Sequence, residues 1–508
     1  MDASSKSAEC KVSPLLVDKL ASVLPKDFKF GVYHVSTPPT QRDPLYSPPP
    51  NQTPDKTYCE SHFLAISIDI TDAEGSVKPV LVLALEVFIY TTKCTTTLFV
   101  SKADSTGYLH LLSLPEGTPS PIRTISTAFI EFLIEARRRK NVQFVISLFI
   151  RAQAQYLFPG SVENKKKHVL DDKGLIKWWC RVINPIIEAP LLVSKGENWK
   201  DIKAYLVVPG LDSYETRALV PRTSTTGKTW SFTHPLNILS QIRTKPGQEV
   251  PPRCLIPMYP DDPKSRFRDE LDEEAEKSAQ YKKKGLWKSV HTIDQFWEMM
   301  AFRQECSSGR MTGFLWAVFD TAENRANEAS LEEAPPASGS LLVKGLKLNA
   351  DKKKKKRRTR LTGIIPPREP HIKTHRKKNL LKKHALTAYY TWPPSSRGEV
   401  IVDDADYKQI YELLLRLDFA NPEIAVSSSQ RWIREVGGGN PWGAIVEGTS
   451  ETSATMARAG EEDLVVNKLT VNNLSGLVKR KRQVSGSEGA PPVVNVLSAG
   501  LVRKKQKN

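Results

Sequence analysis

Eleven residues from Val80 to Tyr90 (VLVLALEVFIY) contain a single charge, Glu86, and no glycine or proline. Such a run predicts a strand buried on both faces, because a half-exposed strand alternates apolar and polar side chains. It is too short to span a bilayer as a helix, and Glu86 interrupts it. A strand covered on both sides needs helices above and below, so this segment directs the chain toward a layered α/β fold.

The flanking sequence supplies the other layers. Leu15–Leu24 has apolar residues at helical spacing and stops before Pro25. Residues 37–57 are rich in proline and polar side chains and read as a loop. Phe63–Ile70 and Thr95–Val100 read as strands, the second rich in β-branched residues. Ser120-Pro121 opens a helix, since serine is a favoured N-cap and proline suits the first helical position. Ile122, Ile125, Phe129, Phe132 and Leu133 form its apolar stripe. Arg137–Lys140 falls in its last turn, where cations complement the helix dipole. Phe144–Ile150 is a further buried-type strand and Leu175–Ile187 a helix. Asp201–Val208 and Cys254–Met258 read as strands, Pro263–Lys284 and Ile293–Gln304 as helices, and Thr312–Phe319 as the last strand. Tyr407–Phe419 and Pro422–Val436 are amphipathic helices.

Charge separates the folded part from its appendages. The 508 residues carry a formal net charge of +18. Asp351–Lys383 holds fifteen lysines and arginines against Asp351 and Glu369, a local net of +13 that leaves only +5 for everything else. The expected divisions are therefore a main domain over 1–321, a disordered Lys-rich insertion over 322–384, a helical return over 385–436 and a disordered basic tail over 437–508. A run of this kind can bind phosphate backbones, acidic proteins or a nuclear import receptor, or serve only as a solvated tether.

Several chemistries are excluded by pattern. The six cysteines (10, 59, 94, 180, 254 and 306) form no CxxC pair, which argues against a zinc site and against a disulfide scaffold. The nine histidines have no metal-ligand spacing, so no metal is expected. The N-terminus lacks an apolar signal region and no membrane association is expected. Gly227-Lys228-Thr229 lacks the upstream glycine of a phosphate loop. Arg434–Gly439 matches RxxGxG, a pyrophosphate-loop pattern, but follows a helix and reads better as a helix stop.

Three segments resist dismissal. Leu98–Asp104 is an apolar strand ending in a charged turn. The helix start that follows carries Arg123 and Thr124, and free N–H groups with the positive dipole end make an anion site there. The alternative is an ordinary strand–loop–helix with a surface arginine. Next, FIRAQAQYLF at 149–158 precedes His168 and the pair Trp178-Trp179. Adjacent tryptophans on a helix point about 100° apart, so either one lines a pocket or both cover core edges. Last, Met258–Lys264 (MYPDDPK) sets two carboxylates between prolines. Asp262 is placed to cap the helix that Pro263 begins. A carboxylate there could equally hold a lysine ammonium and help remove its proton, and the residues alone leave cap and catalysis both open.

FVSKAD, QYLFP, KKHVL followed by KWW, and YPDDPKSRF, in this order, resemble the fungal histone acetyltransferases of the regulator-of-Ty-transposition type. Those enzymes modify newly made histone H3 before its deposition. The resemblance covers about Leu15–Phe319 and Ala385–Trp432, and extends distantly to acetyltransferases of the CREB-binding-protein type. It implies a single α/β catalytic domain with a central mixed sheet surrounded by helices, acetyl-coenzyme A as co-substrate, and a nuclear role in replication-coupled nucleosome assembly, DNA repair and genome stability. Histone H3–H4 would be the substrate. Histone chaperones of the nucleosome-assembly and anti-silencing-function types would be partners.

Carried over by motif, the resemblance implies that Ala103, Asp104 and Ser105 contact the cofactor. Phe149, Gln153, His168, Val169, Leu170 and Trp178 would line its pocket, and Arg123 and Thr124 would meet its diphosphate. Trp179 and Tyr156 would flank the lysine channel. Asp262 would be the catalytic carboxylate, supported by Asp261 and Asp104. Lys264 matches a lysine the family acetylates on itself. The family often has Arg-Pro-Ala where this chain has Arg151-Ala152-Gln153. Two other classes fit parts of the sequence: a non-catalytic chromatin or nucleic-acid adaptor driven by the Lys-rich segment, and an acetyltransferase of non-histone lysines. An acyl-cysteine route would fall to Cys180, which has no evident activating base.

Overall fold

The computed structural model describes residues 13–451 except 72–74, 189–198, 200, 224, 242–249, 277, 279–280, 282–283, 307–308 and 321–382. All described residues belong to one compact unit, Met1–Ser453. The expected Lys-rich insertion lies outside them, as does the tail from 452 onward.

An eleven-stranded mixed sheet forms the centre. Its strands are β1 (Lys29–Ser36), β2 (Thr40–Arg42), β3 (Thr57–Thr71), β4 (Val77–Thr91), β5 (Thr95–Ser105), β6 (Gln143–Ile150), β7 (Asp201–Val207), β8 (Trp230–Ser231), β9 (Gly313–Asp320), β10 (Val400–Ile401) and β11 (Ala444–Glu447). The order is β10-β1-β3-β4-β5-β6-β9-β7-β8, with β11 also on β1 and β2 on β3. The pairs β5/β6, β7/β8 and β1/β10 are parallel, and the other pairs are antiparallel. The helices are α1 (Pro14–Val23), α2 (Pro121–Arg137), α3 (Asp172–Glu188), the short α4 (Ser213–Arg217), α5 (Thr226–Thr229) and α6 (Leu236–Gln241), then α7 (Pro263–Ala275), α8 (Ile293–Ala301), α9 (Asp404–Leu415) and α10 (Pro422–Val436). Among the described residues no helix is long and apolar enough to cross a membrane.

The two faces of the sheet are covered differently. One face, with Leu85, Val87 and Ile89 of β4, packs into the main core beneath α1–α3. His34 of β1 meets Phe129 and Phe132 of α2 on that face. The other face presents Glu86, Phe88 and Tyr90. There α7 and α8 cover Phe314 and Trp316 of β9, and Tyr407 of α9 reaches Glu86.

Several boundaries move, each for a local reason. β1 is absent from the sequence reading because Gly31 and His34 break its apolar pattern. A Cβ at Gly31 would press on Ser67 Oγ and the Tyr33 ring, which would have to move aside. The loop expected over 37–57 contains the short strand β2. The strand expected at 254–258 is a 3-10 turn at Pro252–Cys254 followed by irregular chain, because Pro251, Pro252 and Pro257 remove the amides a strand would use. α8 stops at Ala301 rather than 304, and α7 ends at Ala275. The chain after Gly437–Gly439, expected to be a structureless tail, returns to the core. The glycines end α10, with Gly438 and Gly439 at positive φ. Trp442 then packs on Tyr33 and donates to the Ile433 carbonyl (2.7 Å), and β11 pairs with β1.

Arg137 is also placed differently from expectation. Rather than complementing the α2 dipole from the surface, it is fully buried and forms a bidentate pair with Glu60 (2.5 and 2.9 Å). It also donates to Ser396, so the network fastens the segment after the insertion to the body. Glu60 lies 3.4 Å from His62, which hydrogen-bonds His34 at 3.0 Å. Burial lowers both imidazole pKa values, His34 well below 6.5, while Glu60 opposes the shift at His62. A histidine held neutral in the fold but protonated in the unfolded chain stabilises above the unfolded pKa and loses that contribution as pH falls below it. Urea midpoints should therefore fall between pH 7.5 and 5.5, by up to about 1.4 kcal/mol per pH unit per histidine, and less steeply in His34→Gln. A flat profile in the wild type would show that the pair takes up protons inside the fold.

Candidate active site

The parallel strands β5 and β6 part company midway. Their pairing runs from Thr95 opposite Gln143 to Phe99 opposite Ser147. Beyond that β5 continues to Ser105 on β4 alone, and β6 continues to Ile150 on β9 alone. A bulge drives the divergence: Val87 pairs with Val100 but Glu86 with Lys102, so Ser101 is an extra residue on β5. Bulges bend a strand and re-aim its side chains. Along β5 from Val100 to Ser105, no described strand pairs with the edge facing β6. That leaves main-chain donors and acceptors along an open notch. The charged turn expected after Val100 is thus further strand, carrying Lys102, Ala103 and Asp104.

Asp104 anchors the wall of this notch. One carboxylate oxygen accepts the backbone N–H groups of Tyr156 (2.7 Å), Leu157 (2.9 Å) and Phe158 (3.2 Å). The other accepts Lys167 Nζ (2.9 Å) and the Ser105 amide (2.8 Å). A carboxylate that accepts five hydrogen bonds in this way organises a loop. Tyr156 donates its hydroxyl to the Arg151 carbonyl (2.5 Å), and burial pushes its pKa up to about 12.

The candidate cofactor residues share a property. Ala103, Ser105, Phe149, Leu170 and Trp178 are half-buried, and Gln153, His168 and Val169 are exposed, as suits the lining of an open depression. The tryptophans divide: Trp179 is buried in the core at 5 % exposure, and Trp178 stands edge-on to it, centroids 4.9 Å apart. Arg123 and Thr124 sit half-buried in the first turn of α2. Ser120 precedes them without making a side-chain cap. Burial, then the neighbouring Arg181, lowers the Arg123 pKa. Two clustered guanidinium groups at a helix N-terminus suit an anion such as a diphosphate. The residues present therefore fit an extended, anionic thioester cofactor. Arg181, invisible to the motif reading, joins the set through helix α3.

The Asp261-Asp262 turn holds two unlike carboxylates. Asp262 caps α7 through the Lys264 amide (2.9 Å) and pairs with Lys264 Nζ (2.6 Å); both side chains are enclosed, at 0 and 1 % exposure. Phe314 and Trp316 lie under the ammonium at 4.3 and 5.5 Å. Burial lowers the Lys264 pKa, opposed by Asp262. Asp262, expected to receive the substrate lysine, has both oxygens engaged by Lys264 in this enclosed pair. Asp261 is the reverse: its side chain is 70 % exposed and its backbone is left-handed (φ 57°), which an aspartate tolerates better than most residues. Lys102 Nζ holds it at 2.9 Å. Tyr259, just before, stacks on Phe99 (4.1 Å, 2°), and Phe99 lies beside Phe149 (6.3 Å), so the turn is fixed to the notch.

Cys180 is fully buried, and burial pushes its thiol far above the usual range, which disfavours the thiolate an acyl-cysteine route would use. Among the described residues no cluster of three His, Cys, Asp or Glu could hold a metal ion.

A parallel-strand notch, a helix start suited to an anion and an acidic turn are parts that a transferase with a CoA-type donor would use. The chain belongs to the family of the histone acetyltransferase KAT11-type domain, whose model matches residues 16–144 and 139–435. It is 36 % identical to the histone acetyltransferase rtt109 of Aspergillus flavus, over 98 % of this chain and 90 % of that protein. It is 34 % identical to rtt109 of Schizosaccharomyces pombe, over 46 % of this chain and 56 % of that one. The crystal structure of Rtt109 from Aspergillus fumigatus superimposes with a TM-score of 0.65 at 37 % identity, covering 86 % of this chain and 99 % of that chain. The protein is accordingly an acetyl-CoA-dependent histone acetyltransferase.

Proposed function

We propose that the chain acetylates lysines of newly made histone H3, presented with H4 by histone chaperones of the nucleosome-assembly and anti-silencing-function types. The work belongs in the nucleus, in replication-coupled nucleosome assembly and genome stability. The likeness to the rtt109 proteins supports this reading. A strongly basic chain and a basic histone repel, so an acidic chaperone is the natural mediator. The Lys-rich segment can add contacts to nucleic acid.

The observation that carries the mechanism is the exposure of Asp261 beside an enclosed Asp262. A lysine side chain is protonated at neutral pH, with pKa about 10.4, and attacks only as the free amine. Asp261 accepts a hydrogen bond from the incoming ammonium and assists its deprotonation, directly or through water. The amine nitrogen then forms its bond to the thioester carbonyl carbon, and the carbon–sulfur bond breaks to release coenzyme A. The β5 edge and Phe149 hold the acyl arm, Arg123 with Thr124 and Arg181 hold the diphosphate, Trp178 lines the cofactor pocket, and Trp179 with Tyr156 borders the lysine path. Asp104 and Asp262 position these parts. Lys264, which matches a lysine the family acetylates on itself, is the chain's own acetylation target.

Incubation with labelled acetyl-CoA, an H3–H4 complex and a chaperone tests this function. Label on H3 lysines is expected. Label absent from H3 while another protein is acetylated would favour non-histone substrates; salt-sensitive DNA binding with no transfer would favour an adaptor.

A further inference from the structure

Glu86 is the one charge in the apolar run Val80–Tyr90 of β4, and the cofactor and lysine sites leave it unused. Its carboxyl is buried and accepts Ser101 Oγ (2.9 Å) and the Tyr407 hydroxyl (3.3 Å). Lys102 Nζ stands 3.6 Å from it and 5.4 Å from the Tyr411 ring centroid, and reaches on to Asp261 at 2.9 Å. The bulge at Ser101 turns Ser101 and Lys102 toward Glu86. Tyr407 and Tyr411 come from α9, on the far side of the 321–382 segment, so the downstream part of the chain closes this group.

We propose that Glu86 and Lys102 are positioning residues for the transfer reaction, with the buried carboxylate fixing the lysine and the lysine fixing the Asp261 carboxylate at the mouth of the site. The proposal rests on the role assigned to Asp261 above. An exposed lysine–aspartate pair alone contributes little, because two mobile side chains lose entropy on pairing. Here the lysine is pinned from behind by a buried acceptor and an aromatic ring, so its ammonium is already ordered before Asp261 meets it. The electrostatics agree: burial would lower the Lys102 pKa, but Glu86 first, then Tyr411 and Asp261, outweigh it and raise it. Burial pushes the Glu86 carboxyl up, opposed first by Lys102 and then by Ser101 and Tyr407. A left-handed aspartate at the tip of a turn needs such an external hold, since misplacement by about 1 Å can cost about 100-fold in rate.

The test is kinetic and structural at once. Lys102→Met should lower kcat about tenfold or more with the KM for acetyl-CoA within about twofold, and Lys102→Arg should recover most of the loss. Glu86→Gln, which keeps the shape, should shift kcat in the same direction. In an Asp261→Asn background, Lys102→Met should add less than about a twofold effect, because residues acting as one unit are not additive. Separately from turnover, hydrogen exchange at the Asp261 and Asp262 amides should speed up in Lys102→Met and not in Lys102→Arg. Additive effects with unchanged exchange would overturn the proposal. The exchange readout decides it even if histone transfer by the wild type were to fail, which would instead overturn the function.

Discussion

Asp262→Asn should unfold far more easily than the wild type, by about 3–5 kcal/mol. Asparagine is as good an N-cap as aspartate, so the α7 cap survives the exchange. What does not survive is compensation of the Lys264 ammonium, enclosed at 1 % exposure with Asp262 as its ion-pair partner. Removing one member of a buried pair leaves an unpaired charge, and that dominates any cap effect. Lys264→Met should be comparably destabilising for the mirror reason. The double variant Asp262→Asn/Lys264→Met should recover most of the loss, since an uncharged pair carries no desolvation cost. Urea midpoints of the four proteins check this cycle. Additive losses in the double variant would show that the two charges are not coupled.

Asp104→Ala should abolish most turnover, by at least about 100-fold in kcat/KM. The substitution strands three backbone N–H groups of the 156–158 turn and the ammonium of Lys167, which Asp104 now gathers at 2.7–3.2 Å. Each buried donor left unsatisfied costs about 1–3 kcal/mol. The turn can escape that cost only by moving, and moving it dismantles the wall that carries Tyr156. Asp104→Asn should lie between, because its amide oxygen still accepts from the turn while its NH2 group faces Lys167. Near-wild-type turnover in Asp104→Ala would mean that the turn is held by its other contacts.

Legibility in the sequence followed how local each cause was. β4 was readable because an apolar run states its own burial, and α10 because its amphipathic spacing runs up to a glycine stop. β1 was hidden by Gly31, which pairs with Ser67 on a strand 36 residues further on. The strand at Ala444–Glu447 was hidden because four residues beside a glycine-rich stop carry no pattern of their own; only β1 and Trp442 give them a place. Arg137 looked like a dipole partner because its ion-pair partner, Glu60, sits on β3, 77 residues away in sequence.

The site divides the same way. Motif resemblance put Asp262 ahead of Asp261, and the proposed mechanism reverses that order because Lys264 encloses Asp262. Lys102 passed as a charge at a strand end, and Lys167 as one more member of a basic run, until their acceptors were in view. Glu86 did leave a signal: a lone carboxylate inside an apolar strand is expensive and needs a partner.

The most direct test is turnover of Asp261→Asn on H3–H4 with labelled acetyl-CoA. Asparagine tolerates the left-handed backbone, and the side chain is 70 % exposed, so the variant should keep the wild-type urea midpoint. If Asp261 receives the substrate ammonium, kcat should fall by about 100-fold or more while acetyl-CoA binding is retained. Wild-type kcat in a folded Asp261→Asn would contradict the account, and proton removal would have to be assigned to another group.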